Sequence, residues 1–383
     1  MSKYLEEVKL PDFYFWKEIE EKRIPLSAEI ELTERCNNNC THCYINLPAN
    51  DQDAKKRELS FEEIREIVDE AVEMGCLWWL ITGGEPLLRE DFTDTYLYLK
   101  KKGLLTSVFT NATLITPKLA GLFKRYPPRD LEITVYAVTE RTYERVTRTP
   151  GSFGAFRRGI NLLQKENVHF TLKAMALRSN VGELEAIKDF CKPISKGPFR
   201  FDPFLHLRLR PDGKRNRQIK NERLSPEEIV RIELSDKERK SGLLKQICEE
   251  KKIGQETIYF HNDNHLFYCG AGKTSFTIDP YGFFKLCSSL SHPDCVYDLR
   301  KGSLREAWGK FIPEVRAMRT EDEECRKKCL SCPLINLCMW CPATAYVESG
   351  KLDRHIEDFC QIAHARAEAL GLKKLHKKSD LIS

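Results

Sequence analysis

Apolar residues recur at helical spacing after Ser60, at Phe61, Ile64, Ile67, Val68 and Ala71, until Gly75 stops the run; Ser60 and Glu63 form a capping box at its start. Residues 60–75 are therefore predicted to be an amphipathic helix. The next segment, 77–82 (Leu-Trp-Trp-Leu-Ile-Thr), is apolar on both faces, as a strand covered by helices on both sides would be. An apolar run at 28–33 precedes the helix, and further strands are predicted near 104–109, 131–137, 168–176 and 199–205. Helical stretches fall between them at about 92–102, 116–125, 152–166 and 181–191, giving six βα units. Parallel strands joined by right-handed crossovers can form an open doubly wound α/β sheet or a partial or full barrel. In either case ligands gather at the carboxyl ends of the strands.

After Gly197 the alternation loosens. Residues 206–224 are rich in Arg, Lys and Asn, Ser225-Pro226-Glu227-Glu228 opens another helix, and from Leu266 the chain reads as short strands, turns and cysteines. That last region is too irregular to build a large core alone and needs metal clusters to hold it together. The expected organisation is a lead-in at 1–24, a core domain at 25–214, a connector at 215–265, a cysteine-rich domain at 266–365 and a tail at 366–383.

The chain has 383 residues, 41% of them hydrophobic, enough for one large core or for a large and a small one. No apolar run approaches the roughly 18 residues of a spanning helix, and Met1-Ser2-Lys3-Tyr4-Leu5-Glu6-Glu7 lacks the order of a signal peptide. A soluble cytoplasmic protein, not bound to a membrane, is expected. Net charge is +5 from 62 basic and 57 acidic residues, and the one basic concentration, Lys373, Lys374, Lys377 and Lys378, reads as a solvated end. Nucleic acid is not indicated. Fifteen cysteines without an export signal point to metal or redox chemistry rather than a disulfide framework.

Cys36, Cys40 and Cys43, just after the first strand, can close on one metal centre from a single loop. Three thiolates leave that centre a ligand short: an iron–sulfur cubane with one open iron fits ligand number and type better than zinc, which stays possible. His42 could be a fourth ligand, although its place inside the short Cys-x-x-Cys arm is awkward. The second strand runs into Thr82-Gly83-Gly84-Glu85-Pro86. Two glycines at a strand end allow close backbone approach to a ligand, and Glu85 is an acid suited to an ammonium group.

The pair Cys36-x-x-x-Cys40-x-x-Cys43 and Gly83-Gly84-Glu85-Pro86 resembles the radical S-adenosylmethionine (radical SAM) enzymes. The resemblance implies a partial (β/α)6 barrel of TIM type. It implies that the three cysteines hold a [4Fe-4S] cluster whose open iron chelates the methionine end of S-adenosylmethionine, with reduced flavodoxin or ferredoxin as electron donor. By position, Gly83, Gly84, Glu85 and Pro86 would line the methionine ammonium, Thr110-Asn111 and Thr134 the ribose, and Arg148 the carboxylate. The fourth strand departs from the family pattern, reading Thr134-Val135-Tyr136-Ala137.

A second group, Cys269, Gly282, Cys287, Cys329, Cys332, Cys338, Cys341 and Cys360, resembles the SPASM extension of these enzymes, a small irregular C-terminal domain that binds two auxiliary iron–sulfur clusters. The family's crossed ligation implies Cys269, Cys287 and Cys341 for the nearer cluster and Cys329, Cys332, Cys338 and Cys360 for the farther one. Two departures stand out. The interval from Cys338 to Cys341 is one residue short, and the nearer cluster lacks a fourth ligand, leaving its site open or filled by Cys295 or Cys325.

SPASM enzymes act mostly on peptides or proteins. In the sulfatase-maturing branch an Asp follows the second cysteine of the extension and acts as base; Ser288 stands here, which weakens that reading. The leading expectation is maturation of a ribosomally made peptide by crosslinking or by epimerisation. Epimerisation needs a hydrogen donor, for which Cys191, Cys248, Cys295 and Cys325 are candidates, each with a structural reading as well. The 24 residues before the first strand are short for a leader-recognition domain, so either a separate protein would bind a leader or there would be no leader. The alternatives are a small-molecule maturase in a haem-like or quinone-cofactor pathway, with Arg208, Arg210 and Lys214 available to substrate carboxylates, and a zinc-binding interaction protein without catalysis.

Overall fold

A computed structural model describes residues 15–195, 197, 199–252 and 264–372, without the side chains of 245–252. The opening residues, the lysines of the tail and the side chain of Cys248 lie outside the described residues.

Six parallel strands form the barrel wall: β1 (Ser27–Glu31), β2 (Trp78–Thr82), β3 (Leu105–Thr110), β4 (Leu131–Val135), β5 (Thr171–Met175) and β6 (Arg200–Asp202). Each pairs with the next in chain order. Period-two alternation sends Ala28, Ile30, Trp79, Ile81, Ile133, Leu172 and Ala174 outward under the helices, where they are at most 1% exposed. Their strand neighbours Glu29, Glu31, Glu132, Thr134 and Lys173 face the lumen.

The outer layer is α1 (Phe61–Glu73), α2 (Phe92–Lys101), α3 (Pro117–Arg125), α4 (Glu140–Thr147), α5 (Ser152–Lys165) and α6 (Leu184–Cys191). The Ser60–Glu63 capping box is formed in both directions, and Ile64, Ile67, Val68 and Ala71 are the buried face it aims inward. Helix α4 was not anticipated: its sequence, ERTYERVT, is mostly polar, and Tyr143 and Val146 alone supply large apolar side chains. In the segment read as loosening, α7 (Gly213–Glu222), α8 (Pro226–Ser235) and α9 (Lys237–Lys252) form, the second with the expected Ser225–Glu228 capping box.

The cysteine-rich region does not stand on clusters alone. Strand β7 (Ser275–Ile278) pairs in parallel with β1, and β8 (Phe283–Lys285) and β9 (Val296–Asp298) follow antiparallel, so one sheet of nine strands runs β9-β8-β7-β1-β2-β3-β4-β5-β6. Phe276 and Phe284, buried and stacked 5.1 Å apart, join the same hydrophobic core as Ile30 and Trp79. Long-range parallel pairing of this kind leaves no periodic trace in either strand. The chain ends in α10 (Pro342–Ser349) and α11 (Glu357–Ala369).

Helix α5 crosses the end of β3 so closely that a Cβ on Gly159 would stand 2.1 Å from the Ala112 carbonyl oxygen, whereas one on Gly121 of α3 would meet nothing within 4 Å. Gly159→Ala is expected to destabilise by about 1–3 kcal/mol and Gly121→Ala to stabilise by about 0.5–1 kcal/mol. Urea unfolding of both variants measures the difference.

Candidate active site

The loop after β1 carries Cys36, Cys40 and Cys43 and is held from several sides. At its base, Arg35–Cys36 pairs with Leu47–Pro48, and buried Arg35 grips Glu58 through two hydrogen bonds of 2.8 and 2.9 Å. The amides of Asn39 and Thr41 donate to the Thr147 and Val146 carbonyls at the end of α4, both at 2.9 Å. From the other side Arg215 reaches the Cys40 carbonyl (2.9 Å), and Arg208 and Arg215 share the Asn46 side-chain oxygen.

Inside the loop, the amides of Asn38 and Asn46 point at the Cys36 and Cys43 sulfurs, each at 3.4 Å, an arrangement that favours thiolates. Burial first, then neighbouring Cys43, pushes the Cys40 thiol up to about 12. Burial and then the Glu85 carboxylate push Cys36 up. Thiols raised as Cys36 and Cys40 are surrender their protons to a strongly positive centre, which a metal group supplies. Four buried polar atoms of this loop, both amide atoms of Asn38, Thr41 Oγ1 and His42 Nδ1, have no hydrogen-bond partner. Among the described residues, no three His, Cys, Asp or Glu side chains close on a single-ion position. The donor set and the orphaned atoms fit an iron–sulfur cubane. His42 packs 5.3 Å from the Tyr136 ring, and burial holds its imidazole down to about 4.

The glycine turn after β2 works differently from its sequence reading. A Cβ on Gly83 would lie 2.4 Å from the Thr33 oxygen, and one on Gly84 would lie 2.4 Å from the Arg35 oxygen. The amides of Gly84 and Glu85 donate to those two carbonyls at 2.6 and 2.9 Å. The glycines thus bring the turn against the root of the cysteine loop, and these two amides are occupied there. Glu85 is fully buried with its carboxylate turned inward: Oε1 accepts from Thr110 Oγ1 (2.7 Å) and the Leu87 amide (3.1 Å), Oε2 from the Asn111 amide (2.8 Å). Burial raises its carboxyl to about 7, with these donors pulling it back. Its side chain is a strut between the ends of β2 and β3, not a free acid awaiting an ammonium. Pro86, buried, opens the turn that Glu85 caps.

Asn111 stands beside the loop, its amide nitrogen 3.8 Å from Cys36 Sγ and 3.0 Å from Asn37 Oδ1. Thr134 faces the lumen, in register with Lys173. Arg148, read as a carboxylate ligand, has a left-handed backbone (φ 51°) and clamps the loop: its guanidinium bonds the Asn39 carbonyl at 2.7 Å, the Asn39 side chain at 3.0 Å and Gln218 at 3.0 Å.

The later cysteines gather into two groups. Cys287 lies within electrostatic range of Cys341 and Cys269, and burial lifts its thiol to about 11. Cys329, Cys332, Cys338 and Cys360 line one small cavity that Trp340 and Ile356 help to close. That converging set of four thiols around a cavity fits a second cubane. Cys325 hydrogen-bonds Cys329 and so stands with the farther set, while Cys295 lies in range of Cys287. Cys191, Cys295 and Cys325 are all 0% exposed, out of reach of a substrate as hydrogen donors.

Between the loop and Cys287 the lumen is strongly charged, which the sequence reading missed although the alternation Ala28-Glu29-Ile30-Glu31 carried the signal. Lys285 of β8 pairs with Glu31 at 3.6 Å, and Lys173 and Arg200 both pair with Glu132. Arg210 meets Glu34 at 3.1 Å, where Tyr281 also donates at 2.9 Å. Glu29 accepts from Ser288 and Thr277, and burial raises its carboxyl.

The sequence model of the radical SAM superfamily matches residues 30–191, from β1 to the end of α6, with both the cysteine loop and the glycine turn inside it. The chain belongs to the radical SAM superfamily. This radical SAM enzyme is 26% identical over 335 residues to an AdoMet-dependent heme synthase of Methanosarcina barkeri, spanning 84% of this chain and 92% of that one. It is 26% identical over 342 residues to the mycofactocin maturase MftC of Mycobacterium ulcerans, 86% of either chain. The structure of anSMEcpe with bound AdoMet and Cp18Cys peptide superposes with a TM-score of 0.62 at 17% identity, over 94% of this chain and all of that one. At that identity the superposition speaks for the fold, a radical SAM partial barrel continued by a C-terminal region. These relatives are SPASM enzymes, and membership in the superfamily replaces the reading of a zinc-binding protein without catalysis. Among the described residues, no helix is long and apolar enough to cross a membrane.

Gly84→Ala is expected to push the turn off the loop root, so that the protein folds but its reconstituted iron falls. Iron and sulfide analysis beside wild type checks this.

Proposed function

We propose that this radical SAM enzyme matures a peptide held in the barrel lumen, removing hydrogen from one residue and completing a crosslink or an epimerisation. Cys36, Cys40 and Cys43 would hold the [4Fe-4S] cluster, with the ends of β2 and β3 around Gly83, Asn111 and Thr134 forming the seat for S-adenosylmethionine. Together these groups supply, when bound, a one-electron cleavage that yields a carbon-centred hydrogen abstractor. The chain's part is to grip the loop through Arg35, Arg148 and Arg215, to keep water from the strand ends and to orient the substrate against the lumen wall. Cys269, Cys287 and Cys341, and separately Cys329, Cys332, Cys338 and Cys360, would hold two auxiliary clusters, a reading supported by their grouping. Reduced flavodoxin or ferredoxin would supply electrons in the cytoplasm.

One observation carries the peptide reading. Five lumen carboxyl groups (Glu29, Glu31, Glu34, Glu132 and Asp202) face four cations (Lys173, Arg200, Arg210 and Lys285). All four cations are already paired or faced by these carboxylates. Such a wall offers acceptors for backbone N–H groups and side-chain cations but no excess positive charge for a substrate with several carboxylates. A second reading, oxidation of a tetrapyrrole side chain, is favoured by the similarity to a heme synthase across 92% of that protein's length.

Titrating the reconstituted enzyme with peptides encoded beside its gene and with iron coproporphyrin III separates the two. Peptide binding, with loss of two mass units (crosslink) or solvent deuterium at an α-carbon (epimerisation), is the expected result; porphyrin binding without peptide binding would overturn it. Cys36→Ala, Cys40→Ala and Cys43→Ala should each abolish S-adenosylmethionine cleavage while iron in the C-terminal region remains, as iron analysis and product chromatography would record.

A further inference from the structure

We propose that Glu29 takes a proton from the substrate, an inference that rests on the reading that a substrate is held in the barrel lumen. Every other acid of the lumen is already engaged. Glu31, 2% exposed, pairs with Lys285; Glu132, 4% exposed, is gripped by Lys173 and Arg200; Glu34 is met by Arg210 and Tyr281. Asp202 accepts the Phe204 amide at 2.9 Å. Glu29 is partly exposed at the middle of β1, whereas Asp202 is exposed on the edge strand β6, and among the described residues no cation stands within 4 Å of Glu29. The hydroxyls of Ser288 and Thr277 stand near it and favour its carboxylate form.

Its position suits the task. Tyr44, next to Cys43, lies within electrostatic range of both Glu29 and Cys287, so Glu29 sits between the two cysteine-bearing ends of the lumen. The charged and titratable groups facing it are Glu31 on its own strand, Lys285 from β8, Lys173 from the opposite wall and Tyr44 from the loop. Burial lifts its carboxyl above the ordinary glutamate range, which brings its basicity nearer to that of a general base at neutral pH. In the step itself a substrate S–H, N–H or O–H bond breaks, its electron pair stays on the heteroatom, and the proton forms an O–H bond with Glu29. No electron passes to or from the protein, and the proton leaves afterwards to lumen water.

Glu29→Gln keeps an oxygen for Ser288 and Thr277 but accepts no proton. With the reconstituted enzyme and both probes, the encoded peptide and iron coproporphyrin III, we expect product formed per S-adenosylmethionine cleaved to fall about 100-fold. Glu29→Asp should recover much of the product and, by retaining the acid, guards against a glutamine variant that fails to fold. Product at the wild-type rate from Glu29→Gln, on whichever probe wild type converts, would overturn the role. Conversion of the porphyrin alone would sink the peptide reading while leaving the Glu29 comparison decisive. A substrate-free measurement stands beside these: wild type minus Glu29→Gln infrared spectra from about pH 4 to 8 should show a protonated carboxyl persisting above the ordinary glutamate range. An acid ionised across that interval would also refute the proposal.

Discussion

The structure depends on the approach of one backbone to another. The turn after β2 lies against the root of the cysteine loop, where Gly84 and Glu85 donate to Thr33 and Arg35 and no Cβ fits at either glycine. From that contact the geometry of the strand ends follows. Glu85, turned inward by it, ties β2 to β3; Asn111, held by Glu85, is set beside Cys36; and the loop is fixed at its root before Arg148 and Arg215 fasten its outer side. Buried hydrogen-bond networks of this kind are rigid when fully satisfied. The atoms left unsatisfied are those of Asn38, Thr41 and His42, within the loop itself.

Much of this was legible in the sequence, and the parts that were not have physical reasons. The strands of the barrel were visible because buried parallel strands are apolar, and α1 and α8 because Ser60–Glu63 and Ser225–Glu228 mark their starts. Spacing marked the later cysteines as one group, and their division into two ligand sets came from the family resemblance; in the structure Cys287 lies near Cys341 and Cys269, while Cys329, Cys332, Cys338 and Cys360 line one cavity. Helix α4 escaped because only Tyr143 and Val146 are large and apolar in it. The inward turn of Glu85 escaped too, because spacing gives a side chain's place along the chain but not its direction. Arg148 is the same case: its charge suggested a ligand, and its geometry makes it a clamp on Asn39.

The charged lumen poses a different problem. Acids such as Glu31 and Glu132, nearly removed from water, are tolerable only because Lys285, Lys173 and Arg200 meet them across the sheet. These pairs join residues far apart in the chain, which is why 28–33 read simply as an apolar run. Replacing them with apolar side chains could preserve the fold, but it would leave a greasy channel with nothing to orient a polar substrate.

Strand β1 is bonded along both edges, to β2 on one side and β7 on the other, with Ser27 opposite Trp78 and Ser275. It therefore acts as a common ruler. The cysteine loop leaves its carboxyl end, and Cys287 follows the hairpin built on its neighbour, so the separation of the two ends is measured in ladder rungs rather than by the 72 residues between β6 and β7. That intervening chain is free to lengthen, shorten or change its sequence over evolutionary time without altering the distance an electron would cross. A slip of a single rung in β1 would change the distance at once and would also turn Glu29 and Glu31 from the lumen into the helix layer.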